Sequence, residues 1–497
     1  MKNTGLFGLL RNLNKTEFKE LGKFIRSPYH NNRSELIRYY NKLSKIYPGF
    51  DNTKLKDPFY GDIYPGKKIK PADIDRLNSY MLAVCKDFLA NSEFEKQTVL
   101  KRKLLLNKLS ELKADKLFEK EKTKAVAEIT AYGPREGYYE DYISIENSVI
   151  KHNLSNNVQF KICENVVNKA NLEAVNYIIK LSGSIVDMNC NRISFGYGFQ
   201  DSPAQKIAEK LEPEEIIKDF QFSSEQHKNL VLYNISRLKH YLNPGSSDHY
   251  YRMKEIAFAD APLSTSEVNH ERFIQLNDAI VYLLLNGKEE FYDESYEMHK
   301  YAYVNNLINF RSFSKEQAFG TIRQMCMWGI ANGDTQFIRG YLEENIHLIG
   351  EEIREDFQKF FRAYALLQEK KYDEALKILG LIKFTTPYFR IDVSNLYLII
   401  YYETDEYDAF YSLAESYKKS LKSGKFISNM PADTLFKVVN FIVKLMNIKL
   451  NSKFEMLDEF TKEISASKIL YSAKKWFYKK IEELSELESR NRKKSVL

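Results

Sequence analysis

Residues that punctuate a backbone are scarce in this chain: 20 Gly and 12 Pro serve 497 positions. An all-β chain needs a turn about every 8–12 residues, most of them built from Gly, Pro, Asn or Asp. The sequence is therefore predicted to be all-α, with long helices. Its length suits about three ordinary domains or one extended repeat array. Hydrophobic residues at 44% and charged residues at 28% are ordinary globular usage, so a sizeable core is expected.

Charge is unevenly placed. The formal net charge is +7, yet residues 1–130 hold 27 Lys+Arg against 16 Asp+Glu, and the remainder holds 47 against 51. A basic first quarter is compatible with an anionic partner. The positives in "KRKLLLNKLSELKADKLFEKEKTK" alternate with Glu and Asp at helical spacing, however, as on a solvated helix face. The 34 Tyr and 32 Phe stand against 2 Trp. Beside abundant Lys, Asn and Ile, that profile follows from nucleotide bias as readily as from function, and the tyrosines are read as packing residues at helix interfaces.

Cys85, Cys163, Cys190 and Cys326 form no CxxC pair, so neither a disulfide framework nor a zinc module is expected, and a reducing cytoplasm fits. The opening "MKNTGLFGLLRNLNK" reads as part of a first helix rather than a signal peptide. The longest apolar runs, "IVYLLL" and "LYLIIYY", fall far short of the roughly 20 residues a membrane span requires.

The turn residues divide the chain into a basic N-terminal helical domain (1–130), a middle helical segment (131–265) and a repeat region (266–497). In the first, Phe18, Leu21, Phe24 and Ile25 make one stripe, and Leu36, Tyr39, Leu43 and Ile46 another. Between the two stripes, "SPYHNNRSE" reads as stop, hinge and start. Pro28 disfavours helix at Ser27, Tyr29 packs as the apolar residue of the turn, and Asn32 caps the next helix with Glu35 three positions on. His30 has no visible catalytic companion. Tyr47-Pro48-Gly49 and Tyr64-Pro65-Gly66 mark turns, and Pro71 with Asp73 and Asp75 marks the first turn of a long helix. That helix is expected to break near Asn91-Ser92 or near Ala114-Asp115, and Gly133-Pro134 with Gly137 to close the domain.

In the middle segment, "SGSIVDMNCNRISFGYGFQDSPAQK" reads as a surface loop. Its Gly196-Tyr197-Gly198 is a poor dinucleotide loop, because Asp201 stands where the third glycine belongs. After Pro244-Gly245, Ser246 or Ser247 is expected to cap the next helix.

The repeat region carries the strongest pattern. "AYALLQEKKYDEALKILGLIKFTTP" fits the second half of a tetratricopeptide repeat (TPR), with small Ala363 in its first helix. Tyr372 and Ala375 open the second helix, Leu379 is its large apolar position, and Pro387 is the closing proline. Small residues let paired helices approach while large ones fill the groove. Tyr407 recurs 35 residues after Tyr372, and Thr335 lies 37 before it, near the period of about 34 for this repeat type. "LLNGKEEFYDESYEMH" and "NIKLNSKFEMLDEF" are looser echoes. Ser314 with Gln317 has capping-box spacing, and Asn429 to Asp433 sets Pro431 in a first turn. The closing helix, with anchors Trp476 and Phe477, is expected to cap the array.

Three stretches, "KFIRSPYHNNRSELIRYYNKLSKIYPGFD", "KKYDEALKIL…YLIIYYETDEYDAFYSLAESY" and "KKWFYKKIEEL", together resemble a group of uncharacterised, long, all-helical bacterial proteins with TPR-like C-terminal halves. The resemblance implies the fold and carries no catalytic residues.

No motif supports an enzyme. The eight histidines contain no HExxH and no pair at i, i+4, and no GxxxxGK[ST] or GxSxG is present, so no metal, cofactor or catalytic residue is expected. The expected function is a protein–protein interaction scaffold whose concave repeat face holds a protein or peptide. The alternative is a nucleic-acid-associated adaptor using Lys67, Lys68, Lys70, Lys101, Arg102 and Lys103, provided these share one face. No membrane association is expected.

Overall fold

The computed structural model describes residues 5–50, 57–64, 70–131, 133–156, 158–195, 202–243, 245–383, 387–422, 432–467, 469 and 471–495. Among these residues the chain is helical, with no strand. It separates into two compact units, 1–177 and 178–497.

The first unit contains α1 (Gly5–Asn12), α2 (Lys15–Arg26), α3 (Ser34–Ser44), α4 (Asp57–Gly61), α5 (Pro71–Lys96), α6 (Thr98–Glu111), α7 (Asp115–Ala131) and α8 (Tyr138–Ser155). The division falls inside α9 (Gln159–Phe195). The second unit continues with α10 (Pro203–Lys210), α11 (Pro213–Ile217), α12 (Glu225–Leu242) and α13 (Asp248–Asp260). Then come α14 (Ser266–Leu285), α15 (Phe291–Val304), α16 (Lys315–Ala331), α17 (Thr335–Asn345), α18 (Glu351–Gln368) and α19 (Tyr372–Leu379). The last are α20 (Pro387–Glu403), α21 (Tyr407–Lys422), α22 (Ala432–Leu450), α23 (Leu457–Ala466) and α24 (Tyr471–Ser495).

Both predicted stripes of the first unit are buried. Phe18, Leu21 and Ile25 of α2 and Leu36, Tyr39 and Leu43 of α3 join Leu77, Met81 and Cys85 of α5 in one core, with Phe24 and Ile46 packed at its edge. Helix α5 starts at Pro71, and the Asp73 carboxylate accepts the Lys70 backbone N–H at 3.1 Å. Missing donor and acidic first turn thus coincide at the helix start.

Four local expectations change. The cap of α3 is not Asn32: the N-cap position is Arg33, without a side-chain cap bond. The hinge is the preceding residue. Buried Asn31 accepts the Arg33 N–H at 2.9 Å and donates to the carbonyls of Ile25 at 2.9 Å and Arg33 at 3.1 Å. One carboxamide ties the end of α2 to the start of α3. Tyr29 does not pack into the turn; it is 91% exposed, while His30 stacks on Phe24 at 3.9 Å. Helix α5 runs through Asn91-Ser92 to Lys96 and ends at Gln97, so the first of the two expected breaks is displaced; the alternative, at Ala114-Asp115, is present, with α6 ending at Glu111 and α7 starting at Asp115.

The fourth change concerns the middle segment. Residues 182–195 extend α9 instead of forming a loop. The polar side chains that suggest a turn fold back on the helix: Ser184, Asn189 and Asn191 donate to carbonyls four residues earlier at 2.9–3.1 Å. Such back-bonding satisfies Ser and Asn without interrupting the ladder. Gly196-Tyr197-Gly198 and Asp201 lie outside the described residues.

Other punctuation stands where expected. Ser314 and Gln317 form a reciprocal capping box at α16. Ser246 Oγ accepts the Asp248 N–H at 3.2 Å before α13. Gly133 and Gly137 both take positive φ between α7 and α8.

Candidate functional site

One local geometry recurs along the second unit. Between α14 and α15, α16 and α17, α18 and α19, α20 and α21, and α22 and α23, one residue adopts the left-handed conformation: Gly287, Gly333, Lys370, Asp405 and Ser452, with φ from 53° to 89°; Asn306, between α15 and α16, does the same, with the Leu307 N–H bonded to the Ala302 carbonyl at 2.8 Å. In every case the next residue's N–H bonds back to the carbonyl five positions earlier: Lys288 to Leu283, Asp334 to Gly329, Lys371 to Leu366, Glu406 to Tyr401 and Lys453 to Ile448, at 2.8–3.1 Å. This is the Schellman closure of a helix C-terminus. Thr335, Tyr372 and Tyr407 are each the first residue of the helix that follows.

Within α16 and α17 the close approach has a cause: a Cβ at Gly329 would lie 2.2 Å from Ile338. Ala363 of α18 and Ala375 and Leu379 of α19 are fully buried against each other's helices, with Tyr372 packed at the edge of the same core. Pro387 is the first residue of α20.

The first helices of these pairs share a cavity of about 600 Å³. Counting back six residues from Gly287, Gly333, Lys370 and Asp405 gives Val281, Met327, Tyr364 and Ile399; counting back ten from Gly333, Lys370, Asp405 and Ser452 gives Arg323, Phe360, Asn395 and Ile442. These eight line the cavity, whereas Met446 and Asn277, at the two remaining positions, do not. Residues four apart share a helix face, so α16, α18 and α20 turn equivalent faces inward, and α14 and α22 each add one of the two positions.

The cavity wall is largely apolar and carries one ion pair. Arg323 of α16 donates through Nε to Asp392 of α20 at 2.6 Å and through Nη2 to its other oxygen. Asp392 is buried, and the Arg323 side chain, 33% exposed, lines the cavity. Burial opposes the guanidinium charge, but the charge and hydrogen bonds of Asp392 outweigh it and hold the Arg323 pKa above its ordinary value. The phenol of Tyr364 is pushed up to about 12, first by burial and then by Asp392. The ionised wall residues are thus a cation and an anion that cancel.

Helix α24 forms another wall through Ala473, Trp476 and Phe477. Its lysines reach several of the recurring turns. Lys474, only 5% exposed, pairs with Glu289 beside the α14–α15 turn; Lys475 approaches Asp293 and Asn332; Lys480 pairs with Glu403 at 2.7 Å, at the end of α20. Trp476 packs edge-on against Tyr402 at 5.3 Å. The chain's 2 tryptophans, Trp328 and Trp476, both line this cavity.

The basic residues singled out by sequence are placed otherwise. Lys67 and Lys68 lie outside the described residues, and Lys70 is exposed just before α5. Lys101, Arg102 and Lys103 are consecutive on α6, so about 100° separates each from the next. Arg102 is held by Glu121 at 2.5 Å and by both oxygens of Glu128 at 2.6 and 3.1 Å; Lys101 pairs with Glu95 at 2.7 Å. Among the described residues no group of His, Cys, Asp and Glu is placed to hold a metal, and no helix is long and apolar enough to cross a membrane.

Sequence reasoning missed Arg323 and Asp392. The available signal was a charged residue at a cavity-facing register of each of two apolar helix faces, which becomes readable only once the turns are located. No known family, curated protein or solved structure matches this chain.

Proposed function

We propose that the chain is a non-enzymatic interaction scaffold, acting in the cytoplasm, whose second unit is an α-solenoid of TPR-like hairpins. The observation that carries this reading is the left-handed closure that ends each of α14, α16, α18, α20 and α22, with the same two positions of α16, α18 and α20 facing one cavity. Stacked hairpins that share a face make a binding surface without any catalytic group. The docking of α24 supports a protein as occupant of that surface: an amphipathic helix already lies on it, anchored by Trp476, Phe477 and buried lysines. A helix laid into an apolar groove is a recurring mode of protein recognition. The ion pairs of Arg102 and Lys101 leave the basic first quarter less free cation than its composition suggests.

The test is affinity capture by the full chain from its native host, with and without nuclease, followed by reconstitution from purified components. A protein partner that survives nuclease and moderate salt, and is lost when Lys480 is changed to Glu, supports the scaffold. Recovery of only nuclease-sensitive partners overturns it.

A further inference from the structure

We infer that the cavity between α14, α16, α18, α20, α22 and α24 is a binding site for one small, uncharged, predominantly apolar molecule. This goes beyond the scaffold reading and does not depend on a protein partner.

Size argues for a small molecule. A volume of about 600 Å³ sits inside the range of about 300–1,000 Å³ typical of pockets that bury a drug-sized ligand. A helix with its side chains is about 10–12 Å across, so the same volume would take only about one helical turn. The helix that does approach, α24, contributes Ala473, Trp476 and Phe477 as wall rather than filling the space.

Charge decides the class. The ionised side chains of the wall, Arg323 and Asp392, neutralise each other through two hydrogen bonds. An ionic ligand would enter without a counter-charge and lose its hydration, which is costly in an apolar enclosure. Polar recognition is still provided for. Arg323 uses Nε and Nη2 on Asp392, and its Nη1 donates to no residue among the bonds described. Gln324 of α16 and Asn395 of α20 also line the space with half-buried carboxamides. The wall therefore suits rings or alkyl groups, with a neutral carbonyl, hydroxyl or amide near Arg323.

Two dyes with the same ring system test this on the full chain: neutral N-phenylnaphthylamine and anionic anilinonaphthalene sulfonate. Because Trp328 and Trp476 are the chain's only tryptophans and both line the cavity, energy transfer from tryptophan reports a dye bound near it, and the cavity-filling variants show whether the dye is inside. The neutral dye is expected to saturate at one per chain with strong transfer, and the sulfonate to bind about tenfold or more weakly, the cost of an unpaired charge. Asp392→Asn, which leaves Arg323 uncompensated, is expected to reverse that preference. Met327→Trp, or Ile399→Phe if the first variant does not fold, is expected to abolish saturable binding of the neutral dye. Unsaturable binding, equal affinity for the two dyes, or unchanged binding in a folded cavity-filling variant overturns the inference.

Discussion

Arg323 and Asp392, 69 positions apart, join α16 directly to α20 through a two-point contact. Such a pair is revealing because its removal and its replacement have different consequences. Asp392→Ala leaves a guanidinium deep in the protein with no acceptor, and is expected to cost about 3 kcal/mol, the low end for a broken buried pair because Arg323 is partly open to the cavity. Replacing both residues, Arg323→Met with Asp392→Leu, is expected to recover most of that loss. Chemical denaturation of Arg323→Met, of Asp392→Leu and of the double variant measures the difference. Additive losses would show that the pair acts through separate contacts.

The hinge between α2 and α3 offers a sharper discrimination between neighbours. Asn31→Ala removes three hydrogen bonds and leaves the Arg33 N–H and Ile25 carbonyl without that partner, at an expected cost of about 2 kcal/mol. Asn32→Ala, which touches no cap bond, is expected to change stability by less than about 0.5 kcal/mol. Thermal unfolding of the two variants should separate them, and equal losses would count against Asn31 as the tie.

The recurring turns make a third prediction. Gly333 has φ of 77°, so Gly333→Ala is expected to destabilise by about 1–2 kcal/mol through Cβ crowding in the left-handed region. Gly340 lies inside α17, where an added Cβ would meet nothing within 4 Å; Gly340→Ala is expected to stabilise by about 0.5–1 kcal/mol. Opposite shifts in melting temperature are the expected outcome.

These turns also show why part of the architecture is legible in the sequence and part is not. Helix starts are readable where their chemistry is local: Ser314 with Gln317 and Pro71 with Asp73. The turns at Lys370, Asp405 and Ser452 are not, because a left-handed residue is signalled by Gly or Asn and none stands there. Asn31 and Asn32 have the same local chemistry, and only burial distinguishes them. The loop expected at Ser182 fails because Ser and Asn can bond back along a helix as well as end it. The cavity is illegible for a different reason. It needs Arg323, Asp392 and Trp476 from three helices far apart in sequence, and no spacing rule links them.

Acid should weaken the second unit through its buried histidines. His240 donates Nε2–H to the Ala279 carbonyl at 3.1 Å, and His299 donates Nδ1–H to the Ser295 carbonyl at 2.8 Å; burial lowers both pKa values to about 4. An unfolded histidine titrates near 6.5. Between pH 6.5 and 4 the unfolded chain therefore binds more protons than the folded one, and stability falls as pH falls. At pH 5 the loss is expected to reach about 2 kcal/mol for each of the two. His299→Asn should shrink the difference in denaturation free energy between pH 7.5 and 5; an unchanged difference would assign the pH dependence elsewhere.

Helix α24 is held to the recurring turns by charge as well as by its aromatic anchors, and the two contributions can be separated. Lys474 is buried against Glu289, and Lys475 reaches Asp293 from the next position. Lys474→Glu sets two carboxylates against each other at a site where only one exposed partner can relax into water, so the first turns of α24 are expected to lift while Phe477 keeps its place in the core. Trp476 would then lose its packing on Tyr402. The measurable result is faster amide exchange in 473–480 and a red shift in tryptophan emission, with the fold otherwise retained. Adding Glu289→Lys restores opposite charges in swapped positions and is expected to reverse both signals in part. If the double variant behaves like the single one, the charge pair does not position α24, and the aromatic contacts of Trp476 and Phe477 alone hold that wall of the cavity.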